Sequence, residues 1–132
     1  MVDFEIGILI LRVAVGIVMI AHGVPKLFWK RKVFNKKWRE EYGFPLGSVV
    51  LTGILQVVGG LFIMVGIFTS LSALILALNM VVAVYISIWK HGEGFLSTPE
   101  GKGWDINFLL IGALAALIFF GDGIWSLAEL LW

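Results

Sequence analysis

Four runs of apolar residues divide this chain, at 5–24, 48–68, 70–89 and 105–120. Each comes near the roughly 20 residues that a helix needs to cross a hydrocarbon core of about 30 Å. Unsatisfied backbone is intolerable in lipid, so each run is expected to be a helix. The fourth run is open to continuation as far as residue 131. Thr69 and Ser70 stand at the junction of the second and third runs and predict a tight antiparallel hairpin. The predicted fold class is all-α: an integral membrane four-helix bundle, one domain over 1–132, with a basic amphipathic connection between helices one and two.

Composition supports that reading. Of 132 residues, 60% are hydrophobic, and mean hydropathy is +1.00. A soluble domain of this size is more polar. The absence of cysteine excludes thiolate catalysis, disulfide exchange and cysteine-ligated clusters. A net charge of +1 gives no argument for nucleic acid, and none is expected as a partner. No cleavable signal is evident, because Asp3 and Glu5 make the N-terminus acidic.

The placement of charge is more informative. Connection 25–47 holds Lys26, Lys30, Arg31, Lys32, Lys36, Lys37 and Arg39, and connection 90–104 holds Lys90 and Lys102. The positive-inside rule makes that side cytoplasmic. The expected location is the cell membrane, multi-pass, with both termini outside. Leu27, Phe34, Trp38 and Tyr42 fall near one face of the first connection. This reads as an interfacial helix on anionic headgroups. Its patch of Lys30, Arg31, Lys36 and Lys37 either sets topology or docks an acidic partner.

Polar residues inside apolar runs mark candidate sites. Arg12 lies in the first run, and its expected ion-pair partner is Asp122, with Glu129 as the alternative. Asp122 could instead cap a short terminal helix. At the other end, His22 and Lys26 share a helical face, and Asp105 and Asn107 open the fourth run nearby. That cluster is either a proton relay or a set of satisfied interface residues, with Asp105 as a cap. Gln56 and Asn79 are expected near mid-membrane, as a bracket for a polar ligand or as interhelical glue. Gly53, Gln56 and Gly60 share one face, and Ser48 reads as the N-cap of the second helix. His22 and His91 lack a spacing that fixes haem, and the scattered carboxylates lack metal-ligand spacing. Neither haem nor a metal is expected.

Several of these residues carry a family resemblance. Arg12-x-x-x-Gly16, His22-Gly23-x-x-Lys26, Gly43-Phe44-Pro45, Gln56-x-x-Gly59-Gly60 with Gly66, and Gly121-x-Gly123-x-x-Ser126-Leu127 resemble the DoxX family. The DoxD-like small subunits of thiosulfate:quinone oxidoreductase, first described as terminal quinol oxidase subunits, belong to the same group. The resemblance spans essentially the whole chain and implies four membrane helices. Two positions depart from the family pattern. Gln56 stands where Glu is usual, and Asp122 and Ala128 stand where the final motif has Pro and Asp.

The resemblance implies the membrane subunit of a quinone-linked oxidoreductase. In that reading Arg12, Gln56 and Asn79 hydrogen-bond a quinone headgroup, His22 and Lys26 handle protons, and a partner subunit supplies electrons. The alternative is a membrane scaffold or assembly partner for an oxidoreductase. A small transporter is third, since no broken helix or inverted repeat supports it. A homo-oligomer is expected in the bilayer, because the small residues exceed what one bundle needs.

Overall fold

A computed structural model describes residues 3–45 and 47–131. The expected domain span 1–132, and connection 25–47 within it, therefore include residues 1, 2, 46 and 132, which lie outside the described set. The order is α1 (Phe4–Leu27), α2 (Arg31–Glu41), α3 (Ser48–Val65), α4 (Thr69–Trp89), α5 (Asp105–Phe120) and α6 (Leu127–Leu131). Among the described residues there is no strand, only an isolated bridge between Thr98 and Gly101. Three helices, α1, α3 and α4, are long and apolar enough to cross a membrane. α5 is equally apolar but has only 16 residues.

Local chemistry sets the boundaries. Asp3 Oδ1 accepts the N–H groups of Glu5 at 3.1 Å and Ile6 at 3.2 Å, which satisfies two free donors at the start of α1. α1 continues through Pro25 to Leu27, three residues beyond the expected end. Proline lacks one donor and crowds the preceding turn, but here it falls in the last turn, where few bonds depend on it. α3 stops at Val65 because Gly66 (φ +80°) and Phe68 (φ +50°) both turn left-handed. The hairpin is therefore residues 66–68, and Thr69 and Ser70 belong to α4. Gly121 (φ +71°) and Gly123 (φ +76°) end α5, so the fourth run does not continue to 131 and α6 is separate. Gly47 takes the cap position expected for Ser48, whose Oγ donates to the Pro45 carbonyl at 2.8 Å.

α1, α3, α4 and α5 pack in a ring, each against its antiparallel neighbours. The closest approach is between α1 and α3. A methyl group built on Gly16 would lie 2.7 Å from the Gly60 carbonyl oxygen, and one on Gly23 would lie 2.8 Å from that of Gly53. Seven residues separate the two glycines on each helix, so two backbone contacts stack two turns apart. Close contact of this kind is how apolar helices associate where water supplies no driving force. Val15, Met19, Ile63, Ala73, Leu76, Leu110, Leu114 and Leu117 fill the centre. Large apolar side chains such as Leu51, Val58, Leu71, Leu78 and Phe119 remain exposed around the outside. A surface of that extent suits lipid rather than water.

The glycine contacts can be tested with two alanine variants. Gly16→Ala should destabilise the protein by about 1–3 kcal/mol, because the new methyl meets backbone and cannot be repacked cheaply. Gly7→Ala, with open space around it, should be neutral or stabilise by up to about 1 kcal/mol through helix propensity. Thermal unfolding in detergent measures both.

Candidate functional site

The polar residues separate into two groups, one at each end of α1. Arg12 is 1% exposed. Its Nη1 donates to the main-chain carbonyl of Asp122 at 2.5 Å and its Nη2 to that of Trp125 at 2.7 Å. The expected carboxylate contact is absent from this arrangement. Asp122 Oδ1 instead accepts the N–H of Thr69 at 3.0 Å, capping α4 from a distant part of the chain. Glu129, the alternative partner, is exposed in α6, and its N–H donates to Ser126 Oγ at 3.3 Å.

The same turn takes further bonds. Glu5 accepts the N–H of Ile124 at 2.9 Å, and Ala128 donates to the Gly66 carbonyl at 3.0 Å. Gly66 lies against the Arg12 guanidinium and Ser126, where a side chain has no room. Arg12 thus ties the 121–128 segment to α1, α3 and α4.

The second group surrounds a cavity of about 470 Å³ at the far end of α1. That volume lies in the range of small-molecule sites. Lys26 is buried on its wall, 8% exposed. Its Nζ donates to the His22 carbonyl at 2.8 Å and to Gln56 Oε1 at 3.1 Å. Gln56 in turn donates through Nε2 to Asn79 Oδ1 at 2.9 Å. A continuous donor chain therefore runs from α1 through α3 to α4. Gln56 thus pairs directly with Asn79 between helices, and Lys26 joins them. The Lys26 ammonium also lies 5.3 Å from the centre of the Phe34 ring, within cation–π range.

His22 lines the same cavity. Its Nδ1 is 2.8 Å from the Val18 carbonyl. A carbonyl only accepts, so in the neutral ring Nδ1 carries the proton and Nε2 is a lone-pair acceptor. Lys26 and His22 thus offer a donor and an acceptor one turn apart.

The remaining wall comes from α2 and connection 90–104. Phe34, Trp38, Tyr42 and Phe44 form an aromatic cluster, with Trp38 and Tyr42 each 5.8 Å from Phe44 between ring centres. The Tyr42 hydroxyl is 2.5 Å from His91 Nε2. Burial pushes the Tyr42 phenol above its ordinary pKa, and Glu41 and Glu93 push the same way. Tyr42 therefore stays protonated, and its hydroxyl shares a hydrogen bond with His91 Nε2. Val82 and Ala83 of α4 also line the cavity, and exposed Val82 puts part of it beside the lipid-facing surface.

Asp105 is not joined to Lys26. Its carboxylate accepts Ser97 Oγ at 2.7 Å, Ser97 N at 3.1 Å and Ile106 N at 2.9 Å. It shapes the preceding connection and starts α5. Asn107 is buried and lines the cavity. Arg12, which the family resemblance groups with Gln56 and Asn79, is 14 residues before Lys26 on α1. That is about 21 Å along the axis at about 1.5 Å per residue. The basic patch also divides: Lys30, Arg31, Lys36 and Lys37 are all exposed, but Lys37 faces the cavity mouth. Tyr42, which the sequence places on the apolar face of the first connection, and Glu93, which leaves the third run beside His91, both line the cavity. Their partners come from elements packed over them, and no spacing announces such a contact. Among the described residues no group of three His, Cys, Asp or Glu could hold a metal ion.

Arg12→Met should destabilise the protein by on the order of 3 kcal/mol, since two buried charge-assisted bonds are lost and two carbonyls are left without donors. Limited proteolysis should then cut the 121–131 region first. Arg12→Lys should recover only part of the stability, because one ammonium cannot reproduce the two-pronged geometry.

Comparisons with known proteins bear on the family of the chain. The DoxX family model matches residues 7–89, the span that contains Arg12, His22, Lys26, Gln56 and Asn79. An uncharacterized membrane protein of Mycobacterium tuberculosis is 26% identical over 131 residues, covering 92% of this chain and 78% of that protein. An uncharacterized protein of Haemophilus influenzae is 27% identical over 117 residues, covering 89% of this chain and 84% of that protein. No solved structure gives a significant match. With well over half of its length matched by the family model and its helices long and apolar enough to span a bilayer, this chain belongs to the DoxX family of membrane proteins.

Proposed function

We propose that this protein is the membrane subunit of a quinone-linked oxidoreductase and holds the quinone headgroup in the cavity beside Lys26. One observation carries the reading. The buried Lys26 ammonium and the His22 Nε2 acceptor line one cavity. Gln56 and Asn79 fix the position of the ammonium.

The residues fit such a headgroup chemically. A bound quinone supplies a couple of two electrons and two protons. Lys26 donates a hydrogen bond to a ring oxygen, and His22 Nε2 accepts the proton of a ring hydroxyl. The two forms of the headgroup thus meet complementary partners without rearrangement of α1. Trp38 and Tyr42 offer aromatic faces to a flat ring. Val82 and Ala83 leave an apolar route for a tail toward lipid. Arg12 is outside this constellation and acts as a structural tie. Gln56 in place of the family's usual Glu makes this chain's contribution at that position a hydrogen bond rather than a titration.

The wider arrangement proposed is four crossing helices, with α5 as the short fourth. The basic connections face the cytoplasm, both termini face outward, and the protein sits in the cell membrane. The chain contains no cysteine, and electrons come from a partner subunit. Self-association through lipid-facing small residues is part of the same proposal.

Quinone titration of the purified full chain, read by quenching of tryptophan fluorescence, tests the site. A short-tailed benzoquinone should quench saturably. Lys26→Met should weaken binding about tenfold or more, the weight of one charge-assisted hydrogen bond. Arg12→Lys, compared per folded molecule, should bind as the parent does. Non-saturable quenching, or equal binding by Lys26→Met, would overturn the assignment.

A further inference from the structure

α2 has two unlike faces. Phe34 and Trp38, followed by Tyr42, turn inward and wall the cavity. Lys32, Lys36 and Arg39 fall on the opposite side of the helix, at about 100° per residue, and all three are exposed. At its start, Phe28 and Trp29 are each 68% exposed and Val33 is 65% exposed, interleaved with exposed Lys30, Arg31 and Lys32. Apolar and aromatic side chains set among cations are the composition of a segment that sits at a charged bilayer surface.

The attachment of α2 to the bundle is comparatively slight. It rests on the Tyr42–His91 bond, the Phe34 ring beside Lys26, and packing on the start of α3. No buried residue belongs to α2. Glu40 and Glu41 are its only acidic residues, and both are at its C-terminal end. The helix is therefore basic over most of its outer surface and lacks an apolar anchor of its own in the core.

We propose that anionic phospholipid headgroups bind the outer face of α2 and thereby hold the helix in place as the cavity wall. The lipid bilayer then sets access to the cavity through its charge. Lipid headgroups fit better than an acidic protein, because the exposed Phe28, Trp29 and Val33 lie beside the basic residues and need an apolar phase. The inference uses the cavity wall and does not depend on which ligand the cavity takes.

Since the chain has no cysteine, spin labels can be placed at Val33→Cys and Leu96→Cys, two exposed positions on α2 and on connection 90–104. The full chain is reconstituted in vesicles of phosphatidylcholine alone or with about 30 mol % phosphatidylglycerol, and the label-to-label distance is measured. With the anionic lipid, one narrow distance is expected. Without it, the displaced population should grow about fivefold or more, the weight of about one basic residue at an anionic surface. The variant K32Q/K36Q/R39Q, with only exposed residues changed, should be displaced in both lipids. High salt should reproduce the effect by screening.

An identical distance distribution in both lipids would overturn the proposal. So would a distribution that responds to the triple variant but not to lipid charge, which would make the three side chains part of the helix's own docking on the bundle. The lipid comparison uses the unneutralised chain, so it decides the matter even if the triple variant does not fold. A loss of quinone binding with lipid-dependent docking intact would count against the cavity's ligand and leave this inference standing.

Discussion

The buried guanidinium of Arg12 is the interaction on which one whole end of the molecule depends. A charge placed among apolar helices is tolerated only when its donors are used. Here they reach two carbonyls of an irregular turn, those of Asp122 and Trp125. That turn has its own backbone to satisfy, and the surrounding elements supply the partners. Glu5 takes one N–H of the turn, Asp122 returns a carboxylate to the start of α4, and Gly66 accepts from α6. Removing the arginine would free the turn as well as one side chain. The left-handed backbone at Gly66, Gly121 and Gly123 is what allows the chain to bend closely enough around it.

The close α1–α3 contact carries this organisation to the other end. Glycine at positions 16, 23, 53 and 60 brings two backbones together. The approach places Lys26 within hydrogen-bond reach of Gln56, and Gln56 within reach of Asn79. The polar chain in the cavity wall is therefore a consequence of helix packing. A bulkier interface would move Gln56 away and leave a buried ammonium with one partner fewer. Stability and site geometry share one set of contacts, although the Arg12 turn and the cavity lie at opposite ends of α1.

α2 stands apart from both. It is the only long helix among the described residues with no buried side chain, yet it covers the cavity. Its aromatic face is turned onto the bundle, whereas an amphipathic helix lying free on a membrane turns that face to lipid. The exposed apolar residues at its start and the basic residues on its back are what remain for the bilayer surface.

The sequence by itself determined the class of the protein and the approximate position of its apolar helices. Hydrophobic run length is a one-dimensional property, and lipid forces such runs to be helical. It also marked Arg12, His22, Lys26, Gln56 and Asn79 as residues out of place in apolar segments, and the order of its motifs carried the family. Glycine refined the ends, since a left-handed residue at 66 or 121 stops a helix that hydropathy alone would extend. What only the tertiary structure decided is which polar groups meet. Arg12 was expected to reach a carboxylate, but the fold brings it main-chain carbonyls, which carry no mark in a sequence because every residue has one. Asp122 caps a helix that begins 53 residues earlier. Asp105 turns to Ser97, and Tyr42 finds His91 across 49 residues. Hydrogen bonds act over about 3 Å, so partners are chosen by packing between helices, and packing is settled only when all of the helices are in place.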